Sequence, residues 1–113
     1  MEMCEFTVIL IEEGIEKRLA EDIIKTSYQN GELVLYDVLG DQIPVKNAII
    51  KEVNVDSETL RIQKHEIIGS FIEFIETYER CKEEGCYEEI KRAWEKVKSF
   101  GESMLKEFSY AKK

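Results

Sequence analysis

The sequence predicts an α+β chain: a small antiparallel β-barrel over residues 1–63, then an antiparallel helical hairpin over residues 64–113. Two observations carry that prediction. Between Gly31 and Ile62 apolar residues recur with a period of two between short turn signals, as closely spaced antiparallel strands require. After Gln63 the period changes to about 3.6, the spacing that gives a helix one apolar face.

In chain order, Cys4 to Ile11 is the first strand, with Phe6, Val8 and Leu10 on one face and Thr7, Ile9 and Ile11 on the other. Glu13-Gly14 turns the chain into a second strand, Ile15 to Ala20, and Glu21-Asp22 separates that from a third, Ile23 to Gln29. Asn30-Gly31 is the strongest hairpin signal, because both central residues of a type I′ turn need φ > 0. In the strand it opens, Glu32 to Asp37, Leu33 and Leu35 alternate with Val34 and Tyr36, so both faces are expected to be covered. Gly40-Asp41 closes that strand, and one long strand, Ile43 to Val55, follows. Pro44 lies near its start, where a missing N–H is tolerated. Its alternation breaks, which predicts a bulge or sharp bend between Asn47 and Lys51 of the kind small barrels use to close. Asp56-Ser57 then turns into a strand carrying Leu60 and Ile62, completing an antiparallel meander.

Lys64 to Glu84 places Ile67, Ile68, Phe71, Ile72, Phe74, Ile75 and Tyr78 three and four apart, the pattern of an amphipathic helix. Gly85 is suited to the left-handed position that ends it. In the second helix Tyr87, Ile90, Trp94, Val97, Gly101, Met104 and Phe108 form a heptad seam. Glycine there costs about 1 kcal/mol of helix propensity relative to alanine, so a close helix contact is expected at Gly101. The short link makes the helices antiparallel neighbours. Their aromatic side chains need cover, from each other, from the barrel or from a second copy.

A chain of 113 residues is one domain's worth and can hold a core without a disulfide or a structural metal. No apolar run approaches the roughly 20 residues of a membrane span, and no secretory signal is legible at the amino terminus. Three cysteines at irregular spacing argue against a disulfide framework and for a reducing, cytoplasmic setting. The formal charge of −8 is uneven. Residues 1–63 hold six Lys and Arg against thirteen Asp and Glu, a net of −7. That disfavours nucleic acid as a partner, whose phosphates need clustered cations. A cation or a basic protein surface fits better, and solubility alone also accounts for it.

Enzyme signatures are missing: there is no GxGxxG, P-loop, GxSxG or HExxH, and one histidine is a thin supply for acid–base chemistry. His65, at the strand-to-helix junction, reads as a partly exposed first-turn residue rather than a ligand. Cys81 and Cys86 form C-x₄-C, wider than a zinc knuckle and without a second pair, so structural thiols are the simpler expectation. Cys4 opens the first strand close behind Met1, Glu2 and Met3. A thiolate near a chain end can combine with backbone nitrogen in a planar S,N donor set that favours Ni(II) or Cu(II). One cysteine cannot fill four positions, but two copies related by a dyad can. Otherwise a lone cysteine opening a strand is a small apolar residue.

Met3-Cys4-Glu5, Val8, Glu21-Asp22-Ile23, Gly31-x-Leu33-x-Leu35-x-Asp37-x-x-Gly40, Ile50-Lys51-Glu52-Val53, Leu60 and Ile62 stand in a distinctive order. Together they resemble the CooT family of small nickel-binding proteins, accessory to maturation of the nickel-containing carbon monoxide dehydrogenase. The resemblance covers residues 3 to about 62. It implies an SH3-like barrel, a homodimer, and Ni(II) held through the cysteine that follows the initiator methionine. Here that cysteine is Cys4, one from each subunit, with backbone nitrogens near Met3 and Cys4 completing the set. Gly31, Asp37 and Gly40 look like fold positions. Two departures stand out. Met1-Glu2 precedes Met3, so a terminal amine lies beside Cys4 only if the chain starts at Met3. The helical hairpin extends beyond the usual length of the family. Three functions compete: a non-enzymatic nickel carrier serving a nickel enzyme or its maturation factors, an interaction module whose hairpin docks a partner, and an RNA-binding barrel. The acidic barrel gives the third no support.

Overall fold

The computed structural model describes residues 5–111, with side chains through residue 109, so Met3 and Cys4 lie outside the described residues. Its elements are β1 (Phe6–Glu12), β2 (Ile15–Gln29), β3 (Glu32–Asp37), β4 (Gln42–Val45), β5 (Ala48–Asn54), β6 (Thr59–Lys64), α1 (Glu66–Glu84) and α2 (Tyr87–Ala111). Contacts divide the chain into two compact units after His65, a sheet unit and a helical unit.

The strands form one sheet in the order β4-β3-β2-β1-β6-β5. Four of its five pairings are antiparallel, but β1 and β6 run parallel, with Val8 opposite Leu60 and Leu10 opposite Ile62. The expected all-antiparallel barrel is therefore a mixed sheet. The expected meander is also interrupted. The chain leaves β4 at one edge of the sheet and resumes as β5 at the other, through Lys46 and Asn47 alone. Two residues span only about 10 Å at full extension, so the sheet must curl until its edges approach. A hydrogen bond between those separated parts fits the curling: the Ile50 N–H on β5 donates to Tyr28 Oη of β2 at 3.1 Å.

Asn47, at φ +59°, replaces the predicted bend in a single long strand with a turn between two strands. The expected bulge is present as well, as a register shift between Ile50 and Glu52 against β6. The second and third predicted strands are one continuous strand, β2, whose first half pairs with β1 and whose second half pairs with β3. Asp22, at φ +57°, breaks the register without ending the strand, which is how a long strand bends from one neighbour to the next. The type I′ prediction holds, with Asn30 at φ 52° and Gly31 at φ 80°. Pro44 sits on the edge strand β4.

All six strands supply the core: Val8, Leu10, Ile23, Leu33, Leu35, Val45, Ala48, Leu60 and Ile62 form one buried cluster. Alternate residues point inward, and the curl gathers them from every strand. Val34 is buried on the opposite face of β3, so both faces of that strand are covered.

In the helical unit, Gly85 at φ +69° ends α1, and its N–H donates to the Cys81 carbonyl at 2.8 Å. Phe74 meets Trp94 with ring centroids 5.6 Å apart, and Lys96 Nζ pairs with Glu73 at 3.3 Å. Among the described residues of this unit, only Ser70, Cys81 and Ala93 are buried. Trp94 and Phe71 keep 47% and 48% of their surface exposed, so the predicted seam is only half covered. The close contact expected at Gly101 is not there. A methyl group added at that position would meet only Ile67 Cδ1, at 4.0 Å. Gly101→Ala is accordingly expected to stabilise the helical unit by about 0.5–1 kcal/mol, read as a higher urea midpoint. A loss of stability would place an unseen neighbour against that position.

Candidate metal centre

The described chain starts at Glu5, whose N–H lies 3.3 Å from Glu58 Oε2. Two residues on, the Thr7 N–H donates to the Glu58 carbonyl at 2.9 Å. Phe6 pairs with Ile23, next to the Asp22 bulge of β2, while Thr7 pairs with Thr59 of β6. The start of β1 thus runs between a bulge carrying Glu21 and Asp22 and a turn carrying Asp56 and Glu58. Glu21 is already paired with Arg18, and Asp22, Asp56 and Glu58 carry the remaining negative charge at this end of the sheet.

The other residues singled out in the sequence are fold positions. Val8, Ile23, Leu33, Leu35, Leu60 and Ile62 are core. Asp37 Oδ1 accepts from the N–H groups of Leu39 at 3.0 Å and Asp41 at 2.9 Å, fixing the turn in which Gly40 adopts φ +90°. His65 is half-buried, and its N–H donates to the Asn47 carbonyl at 2.9 Å.

Cys81 and Cys86 are brought together, and not as the free thiols expected. They form a disulfide across the link between α1 and α2, with Cα atoms 5.0 Å apart. The expectation against disulfides fails here for a local reason. The two-residue link between α1 and α2, with Gly85 at φ +69°, sets residues five apart at a bridging distance. Sequence reasoning also missed Glu89. Among the described residues, Cys81, Cys86 and Glu89 form a group whose possible ligand atoms all lie within 4.8 Å of one another. The available signal was Glu89 standing three residues after Cys86, one helical turn along. Arg80 ties the group together: it donates to Glu89 Oε2 at 2.6 Å, to Glu84 Oε2 at 3.3 Å and to Cys86 Sγ at 3.6 Å. Those hydrogen bonds, to Glu89 first, push its guanidinium further above its usual range, so it stays a cation. No described helix is long and apolar enough to cross a membrane.

Residues 3–68 match the family profile of the CO dehydrogenase accessory protein CooT, more than half of the chain. A crystal structure reported as a CooT of Carboxydothermus hydrogenoformans superposes with a TM-score of 0.51 at 17% identity. That match covers 56% of this chain and 100% of the other, and at such identity it speaks to fold alone. No curated protein matches the sequence.

Proposed function

Because the chain belongs to the CooT family of CO dehydrogenase accessory proteins, we propose that it carries Ni(II) as cargo for maturation of that enzyme. It is an accessory protein and not itself an enzyme. In this reading the chain is a cytoplasmic homodimer of SH3-like barrels, and one Ni(II) lies on the dyad between two Cys4 thiolates. Backbone nitrogens near Met3 and Cys4 complete a planar set. The observation that carries the reading is the reach of the family match, which opens at Met3 and takes in Cys4. The acidic residues flanking the start of β1 support it by favouring cations over phosphates.

Paired subunits also answer the weakness of the helical unit. The unit is an antiparallel hairpin, a reading supported by the contacts Arg80–Glu89, Phe74–Trp94 and Glu73–Lys96. A second copy can cover the seam that one hairpin leaves half-exposed. That same seam favours a second reading, in which the hairpin docks a partner protein and Cys4 is structural.

Light scattering with and without Ni(II), alongside calorimetry, tests the proposal. With the Cys81–Cys86 disulfide intact, a dimer taking up one Ni(II) is the expected result. A monomer of 13.2 kDa that Ni(II) leaves unchanged would overturn it. Restarting the chain at Met3 should tighten binding, because it supplies a terminal amine beside Cys4.

A further inference from the structure

We propose that Cys81 and Cys86, reduced to a dithiol, hold a borderline-soft divalent cation of the zinc class together with Glu89 at the tip of the helical unit. This second site does not rest on the Cys4 reading.

Four features point to a ligand. The donors lie together: the two sulfurs are joined in the disulfide, and a Glu89 oxygen lies within 4.8 Å of both. They also grade from interior to surface: Cys81 is buried, Cys86 half-buried and Glu89 exposed, so an ion can reach the sulfurs from solvent. A groove of about 260 Å³ beside them, lined by Tyr78, Tyr87 and Ile90 among others, gives the sulfurs an apolar wall. Finally, two thiolates and a carboxylate around a dication leave a net of about −1, and Arg80, shared among Glu89, Glu84 and Cys86, offsets part of it.

The disulfide and the metal site are alternative states of one pair. In thiol–disulfide exchange a dithiol reductant gives two electrons and two protons to the S–S bond, becoming a disulfide itself while Cys81 and Cys86 become thiols. Cation binding then releases two protons as both thiols become thiolates. Ligand bonds of about 2.3 Å at a tetrahedral angle set two sulfurs about 3.8 Å apart. Cα atoms 5.0 Å apart reach that separation by χ1 rotation, without moving the helices. Three protein donors leave a fourth position open, as in sites that exchange a ligand rather than closed structural ones.

The test uses the full chain carrying Cys4→Ser, reduced and freed of reductant without air, with Co(II) as the spectroscopic probe. One Co(II) per chain with thiolate-to-metal charge-transfer absorption is expected. The same chain with its disulfide intact should give none, nor should one also carrying Cys81→Ser and Cys86→Ser. Glu89→Gln should weaken binding at least tenfold while keeping the absorption. No charge-transfer band in the reduced chain overturns the site, as does undiminished affinity in Glu89→Gln. Zn(II) protection against alkylation, read by intact mass, covers the case of serine variants that lose their helices. Without metal, iodoacetamide should add two groups to the reduced Cys4→Ser chain, and with Zn(II) none. Two groups in both conditions would equally overturn the proposal. Because every arm lacks Cys4, failure here leaves the nickel reading standing, and the reverse also holds.

Discussion

In a chain whose Cys81 and Cys86 are already serine, Cys4→Ser is expected to reduce Ni(II) binding from one ion per dimer to none detectable at micromolar protein. In the proposed site each subunit would offer one sulfur to a shared ion, so a single substitution would remove both thiolates at once. The remaining donors would be backbone groups, surface carboxylates and the single imidazole of His65, with no thiolate to set up the planar S,N arrangement. The loss should therefore be visible as well as measurable. The proposed planar thiolate–nitrogen site would give charge-transfer absorption and a diamagnetic metal, and an octahedral oxygen site would give neither. Thiolate is the competent ligand, so binding by the Cys4-containing chain should release protons and weaken as pH falls. Serine at Cys81 and Cys86 alone should leave the signature intact. Undiminished Ni(II) uptake by the chain without any cysteine would refute the Cys4 assignment.

The second large effect lies in the sheet. Leu35→Ala is expected to cost about 2–5 kcal/mol, read as a fall in the urea midpoint with little change in slope. Leu35 is wholly buried on β3, paired with Thr26 of β2 on one side and Ile43 of β4 on the other. Its removal leaves a cavity that strands held by hydrogen bonds on both sides cannot close. For a domain stable by roughly 5–15 kcal/mol, that is enough to populate unfolded chain. Leu39→Ala is the matched control. Leu39 is 83% exposed, and its loss should change stability by less than about 0.5 kcal/mol. Similar effects at the two positions would mean that the Leu35 side chain does not sit in a packed core.

The residues most legible in the sequence were those whose role is settled by near neighbours. Asn30-Gly31 marked its turn because the backbone there needs positive φ, whatever lies elsewhere. Leu33 and Leu35 marked an inward face because side chains alternate along any strand. Asp22 misled for the same local reason: a turn-forming pair ends a strand in most settings. Here it bends one strand between two partners that the sequence does not name. Cys81 and Cys86 were legible as a pair but not as a bridge, and Glu89 was invisible beside them. Its relation to Cys81 crosses between two helices.

By itself the sequence determined the strands' inward faces, the type I′ turn, the change to helical period after Gln63 and membership of the family through a pattern beginning at Met3. All of these are written in spacing along the chain. Only the tertiary structure decided that β1 and β6 run parallel, that β4 and β5 lie at opposite ends of the strand order, and that Cys81, Cys86 and Glu89 converge. Local period fixes which way a side chain points but not which strand it meets. That choice falls to the curl of the whole sheet, which alone gathers the apolar faces of all six strands into one core.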